Sequence, residues 1–261
     1  MKKIALLGLG EAGRLYAEGL AAGATVSGYD PFVATSSAVF QQFDNIADAV
    51  RSADVVISLV GARAGGAVAA QAMPHVQPGS VFADFNTSSP TAKLSLAAVA
   101  DEFGVLFADV AVLAPVPRAG SATPLMVSGP GADTLRDILG QLGAPIESIG
   151  GLPGDAASRK LLRSVFMKGL AGVVLETLEA GRLAGNADWV TDQMAAELGP
   201  EGRAFVERLV TGSHAHAERR QHEISDALEY IRHLGVDGWM SAGALLWLTS
   251  LAENSTPHRT S

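Results

Sequence analysis

The chain has 261 residues, 48% hydrophobic and 18% charged, the balance of a folded globular protein long enough for one large domain or two smaller ones. Its formal net charge of −8 argues against nucleic acid or an anionic membrane surface as a partner. The chain has no cysteine, which excludes disulfides, thiolate zinc sites and a thiol nucleophile and fits a reducing cytoplasm.

Ile4-Ala5-Leu6-Leu7 opens the chain as a short apolar run with the character of a buried parallel strand. Gly8-Leu9-Gly10-Glu11-Ala12-Gly13 follows directly, and Glu11 to Ala22 reads as a helix. Gly8 permits a tight turn, Gly10 leaves room for a pyrophosphate against the backbone, and Gly13 lets the helix pack close to the strand. The N–H groups and positive dipole end of that helix would face the phosphates. A second strand, Thr25 to Tyr29, ends at Asp30. A carboxylate there accepts hydrogen bonds from ribose hydroxyls and repels a 2′-phosphate. No Lys or Arg lies between Asp30 and Gln42, so the pattern predicts NAD rather than NADP.

Further strands are expected at Val55–Val60, Ser80–Phe85, Val105–Asp109, Pro124–Ser128 and Ile146–Ile149, with helices such as Ala64–Met73 and Thr91–Phe103 between them. The alternation predicts an α/β domain with a doubly wound, mainly parallel sheet. Gly150-Gly151-Leu152-Pro153-Gly154 punctuates a boundary. Beyond it the pattern is helical: Asp155–Ala184, Ala187–Leu198, Pro200–Thr211, His214–Leu234 and Ser241–Ala252. The expected organisation is a dinucleotide-binding Rossmann domain at 1–152, a smaller all-α domain at 153–252 and a polar tail at 253–261. Trp239, Met240, Leu245, Leu246 and Trp247 form either a subunit interface, giving a homodimer, or the helical core. No charge-free apolar run of about 18 residues occurs, so no membrane span is expected.

Three segments are candidates for chemistry. Leu59-Val60-Gly61 ends a strand, where the ligand crevice of a doubly wound sheet opens; it lines the cofactor or is an ordinary strand end. Asp84-Phe85-Asn86-Thr87-Ser88-Ser89-Pro90 supplies amide and hydroxyl groups at another strand end, or caps the next helix. Lys160, Ser164 and Lys168 share one face of the long helix. A lysine in a partly dry cleft can act as general base or acid, although a helical lysine is also an ordinary solvated residue. Near His214, His216, Arg219, Arg220, His222 and Glu223 the readings are a solvated or interface helix, an anion site at Arg219 or Arg220, or a metal site. His214 and His216 point apart on a helix, and no metal is expected.

Together these pieces resemble the β-hydroxyacid dehydrogenase family, which includes 3-hydroxyisobutyrate and 6-phosphogluconate dehydrogenases. Gly8 to Gly13 resembles its opening fingerprint, with Glu11 where methionine is usual. Asp84 to Pro90 resembles its Asp-x-Ser-Thr-x-x-Pro stretch. Asp109-Val110-Ala111-Val112, Ala119, Pro124-Leu125-Met126-Val127 and Gly129 resemble its substrate-loop segment. Gly154-Asp155-Ala156-Ala157-Ser158-Arg159-Lys160 resembles the segment bearing its catalytic lysine. The later runs Lys160 to Gly169 and His216 to Glu223 resemble a poorly characterised branch with a short helical C-terminal domain.

The resemblance implies an NAD(P)-dependent oxidoreductase passing a hydride between nicotinamide and a small hydroxy acid bound between the domains. Lys160 would be catalytic. Asn86, Thr87 and Ser164 would orient substrate, and Gly8, Leu9, Gly10, Glu11, Ala12, Gly13, Asp30, Leu59, Val60, Gly61 and Asn86 would hold cofactor. The family's Ser-Gly-Gly, which holds a substrate carboxylate, is replaced by Leu113-Ala114-Pro115, and its usual asparagine by Ser164. Leu113 has no side-chain donor and Pro115 no N–H, so either the substrate differs or another cation holds its acid group; Arg118 and Arg163 are candidates, and surface solvation accounts for either equally well. Two alternatives stand beside this reading: an imine reductase-like enzyme, and a non-catalytic NAD-binding regulator.

Overall fold

The computed structural model describes residues 1–255. The chain divides into two compact units, Met1–Lys160 and Leu161–Ser261.

The first unit is built on eight strands: β1 (Lys3–Leu7), β2 (Thr25–Tyr29), β3 (Gln41–Gln42), β4 (Val55–Ser58), β5 (Val81–Asp84), β6 (Leu106–Val112), β7 (Leu125–Ser128) and β8 (Ile146–Ser148). They form one sheet in the order β3-β2-β1-β4-β5-β6-β7-β8. Every pairing is parallel except β6 with β7. The chain winds outward from β1 through β2 and β3, then returns to begin the other half at β4. The carboxyl ends of β1 and β4 therefore diverge at the switch point, where a doubly wound sheet opens a crevice.

The central strands are apolar throughout because helices cover both sheet faces. Successive side chains alternate between those faces. Ile4, Leu6, Val26, Ile57 and Val127 pack with Tyr16 and Leu20 of helix α1 (Glu11–Leu20) and with Leu135 and Leu139 of a helix at Ala132–Gln141. Ala5, Leu7, Val56, Phe82 and Phe107 pack on the opposite side. Their partners are Val50 of α2 (Ile46–Val50), Ala69 and Ala72 of α3 (Ala62–Ala72) and Ala100 of α4 (Pro90–Glu102).

Two boundaries differ from the sequence expectation in ways that matter. The strand expected at Val55–Val60 stops at Ser58, so Leu59, Val60 and Gly61 form the turn out of the sheet. The strand expected to end at Asp109 runs on to Val112 and pairs antiparallel with β7, which places Asp109 inside the sheet. The short β3 and α2 and the helix at Ala132–Gln141, called α5 here, are additional elements.

The second unit is helical among the described residues. The long helix α6 (Asp155–Leu183) enters it at Leu161, followed by α7 (Ala187–Glu197), α8 (Gly202–Ala215), α9 (Ala217–His233) and α10 (Trp239–Ser255). Leu161, Ile224, Ala227, Ala244 and Leu248 make one apolar cluster, and Ala171, Val174, Val206 and Leu209 another. The break between α8 and α9 falls at His216, later than the sequence predicts. Helix α10 continues through Ser255, so the first residues of the expected polar tail are helical, and the remainder lies outside the described residues. Trp239, Met240 and Leu246 stand 78%, 67% and 73% exposed, which removes the core reading for those three. Among the described residues no helix is long and apolar enough to cross a membrane.

Candidate active site

The glycine turn has the geometry its residue types predict. Gly8 sits at φ +95, and a Cβ there would come 2.5 Å from the Leu59 carbonyl oxygen. A Cβ on Gly13 would collide with the Gly8 carbonyl, so both positions need glycine. Gly10 differs: nothing lies within 4 Å of where its Cβ would be. It caps α1 with no side-chain hydrogen bond. The result is an open cradle before an uncapped helix start, which fits a diphosphate. Asp30, at the end of β2, holds the turn in place. Its Oδ2 accepts from the Leu9 N–H at 2.7 Å, and its Oδ1 accepts from Phe32 and Val33 at 2.9 and 3.1 Å. Glu11 is exposed. These residues together fit the dinucleotide that the sequence predicts.

Asn86 is 5% exposed and braces the crevice from within. Its Oδ1 accepts from the Gly61 N–H at 2.7 Å, and its Nδ2 donates to Ser58 Oγ at 2.9 Å and to Asp84 Oδ1. The side chain thus ties the ends of β4 and β5 together and fixes the Gly61 turn, itself at φ +86. Leu59 and Val60 pack against the two cores on opposite sheet faces. Ser89 caps α4, its Oγ accepting from Ala92 at 3.2 Å. Thr87 meets Lys160, whose Nζ donates to Thr87 Oγ1 at 2.9 Å.

Beneath this pair lies a charged cluster that sequence reasoning missed. Asp84 and Asp109 are partners in the register of β5 and β6. Between them Lys93, on α4, is 1% exposed. Its Nζ stands 2.9 Å from Asp84 Oδ2 and 3.1 Å from Asp109 Oδ1, and it donates to the Asp84 carbonyl at 2.8 Å. Two aspartates closing adjacent apolar strands were the available signal. In register they place two carboxylates side by side, which a dry interior tolerates only with a cation. The other oxygen of Asp109, Oδ2, accepts from the Gly154 and Ala157 N–H groups at 3.1 and 2.9 Å. Ser128 Oγ donates to it at 3.3 Å and accepts from Ala156 at 3.0 Å. Gly154, at φ +102, lets the start of α6 approach Pro90, whose carbonyl would lie 2.8 Å from a Cβ. Asp155 is a first-turn acid whose Oδ2 accepts from Leu152 at 3.0 Å.

The remaining candidates are more dispersed. Leu113, Ala114 and Pro115 are half-buried after β6, with the Leu113 N–H donating to the Pro124 carbonyl at 3.0 Å. Their loop folds back on α1, where a Cβ on Gly19 would strike Ser121. Arg118 is exposed on that loop. Ser164 is buried one turn beyond Lys160 along α6, and Arg163 is exposed. Lys168 pairs with Glu223 at 2.6 Å. Arg219 lies 3.9 Å from Glu223. Arg220 donates to Ser213 Oγ at 2.8 Å and the Leu209 carbonyl at 3.3 Å, bridging the α8–α9 corner. Among the described residues no group of three or more His, Asp or Glu is disposed to hold a metal.

Residues 3–151 match the family model described as the NAD binding domain of 6-phosphogluconate dehydrogenase. Residues 182–251 match a domain of unknown function, DUF1932. An uncharacterized 28.5 kDa protein of Methanothermus fervidus is 32% identical over 187 residues, 70% of either chain. The crystal structure of a conserved hypothetical protein from Sinorhizobium meliloti 1021 is similar at a TM-score of 0.82 and 30% identity, over 100% of this chain and 92% of that one. The Mycobacterium tuberculosis 3-hydroxyisobutyrate dehydrogenase, solved with L-serine, shares the fold at a TM-score of 0.82 and 21% identity, over 98% of this chain and 95% of that one.

Proposed function

The chain belongs to the family of the 6-phosphogluconate dehydrogenase NAD-binding domain, and from that premise we propose that it is a nicotinamide-dependent oxidoreductase acting on a small hydroxylated acid. The observation that carries this reading is the Lys160–Thr87 contact of 2.9 Å, at the carboxyl ends of the strands whose first turn forms the dinucleotide cradle. A bound nicotinamide supplies the acceptor for the carbinol hydride at its C4, or the donor in reverse. Lys160 takes the hydroxyl proton in one direction and returns it in the other. Thr87 orients the amine by accepting a hydrogen bond from it. Asn86, its amide engaged with Gly61, Ser58 and Asp84, acts by holding the crevice wall. Ser164, one turn from Lys160, is assigned to the substrate.

We assign NAD as the working cofactor, because the Asp30 carboxylate at the end of β2 would repel a 2′-phosphate. The loop Leu113–Pro115 carries no side-chain donor, and the Leu113 N–H is already bonded to Pro124. We assign Arg118 or Arg163 as the cation that would hold a substrate acid. That same lack of donors supports the second reading, reduction of a neutral imine. The exposed Trp239, Met240 and Leu246 are assigned to contact with a second copy of the chain, to be checked by light scattering on wild type and Trp239→Ser.

Calorimetry with NAD and NADH tests nucleotide binding. Nicotinamide absorbance during incubation with hydroxy acids and cyclic imines then distinguishes the two substrates. Nucleotide binding without hydride transfer to any acceptor would point instead to a regulator.

A further inference from the structure

Both halves of the Lys160–Thr87 contact hang from one buried cluster. Thr87 lies three residues beyond Asp84, which Lys93 grips through both its carboxylate and its carbonyl. Lys160 lies three residues beyond Ala157, whose N–H is held by Asp109. Lys93 joins the two aspartates, and their strands hold them in register. The cluster carries a formal charge of −1, from two carboxylates and one ammonium. Its excess negative end, Asp109 Oδ2, meets the Gly154 and Ala157 amides at the start of α6, where the helix dipole favours an anion.

We propose that Asp109 is a positioning residue for Lys160. With Ser128, it fixes the first turn of α6 so that the amine meets Thr87, while Lys93 locks that turn to the segment bearing Thr87. The inference rests on the proposed role of Lys160. A misplacement of about 1 Å at a reacting group can cost up to about 10² in rate, so loosening this turn acts on turnover rather than on the grip of the diphosphate, which belongs to the Gly8–Gly13 turn.

The test uses Asp109→Asn, which keeps the shape and one acceptor, and Ser128→Ala, a milder change that carries the test should the first variant fail to fold. The expected result is a kcat loss of about 10-fold or more for Asp109→Asn and about 3-fold for Ser128→Ala, with the KM for NAD within about 2-fold of wild type. In a Lys160→Ala background neither change lowers the residual rate further, since both act through that amine. Equal losses in both backgrounds, or a loss confined to the KM for NAD, overturn the proposal.

A second readout needs no turnover. The chain has only five lysines, so ¹⁵N-lysine labelling gives an ammonium spectrum in which the Lys160 signal is assigned by its loss in Lys160→Ala. Wild type is expected to show it apart from the exposed Lys2 and Lys3, and both variants to move it toward them. An unmoved Lys160 signal overturns the proposal. Should the wild-type protein bind NAD and transfer no hydride, the functional reading fails separately, and this spectrum alone judges the positioning role.

Discussion

Lys160 donates to Thr87 across 73 positions of sequence at 2.9 Å. The first prediction follows from that contact. Lys160→Ala is expected to keep NAD affinity, measured by calorimetry, and to lower kcat by about 10² or more, the scale of a lost general acid–base. Full turnover in the variant removes the proton-transfer role.

The glycine turn predicts opposite outcomes for two alanines. Gly10→Ala has open space around it and a φ of −62, so it should melt like wild type. Its methyl group occupies the diphosphate cradle and should weaken NAD binding about tenfold, or 1.4 kcal/mol. Gly13→Ala drives a Cβ into the Gly8 carbonyl and should cost about 1–3 kcal/mol of stability. Equal melting temperatures for the two variants would contradict this account.

Lys93→Met leaves two carboxylates buried side by side. Urea unfolding should show a loss of about 3–5 kcal/mol, the cost of an uncompensated buried charge. Adding Asp84→Asn removes one of those charges and should recover part of the loss. If the double variant is no more stable than the single one, charge balance is not what Lys93 provides.

Tyr16 sets an alkaline limit. Its ring is 1% exposed and meets Phe85 edge-on, centroids 5.3 Å apart. Burial pushes the phenol up to about 12 from 10.0, opposed in part by the Thr123 hydroxyl. Between those values the unfolded chain releases a proton that the native state keeps. This contribution is therefore complete below pH 10 and lost as pH rises toward 12, amounting to about 2–3 kcal/mol. In urea titrations at pH 9 and pH 11, Tyr16→Phe should show a smaller alkaline decline than wild type. Parallel declines would exclude Tyr16 as the cause.

Lys160 became the catalytic candidate through the resemblance of its segment to a known family, whereas residue order alone determined the glycine turn, Asp30, the apolar strands and the long helix. Each depends on periodicity or on neighbours a few positions apart, and a strand buried on both faces shows as a continuous apolar run. The length of β6 was less legible, because Val110 to Val112 read equally as strand or loop until β7 pairs with them. Tertiary structure alone decided what Asn86 and Lys93 do. The sequence offered Asn86 as a ligand-facing amide, and packing turned it inward to brace Ser58 and Gly61. Lys93 sits in α4 as any solvated lysine would. It becomes the centre of a buried ion cluster only when β5 and β6 align Asp84 with Asp109, because the low dielectric between them requires a cation that no local pattern records.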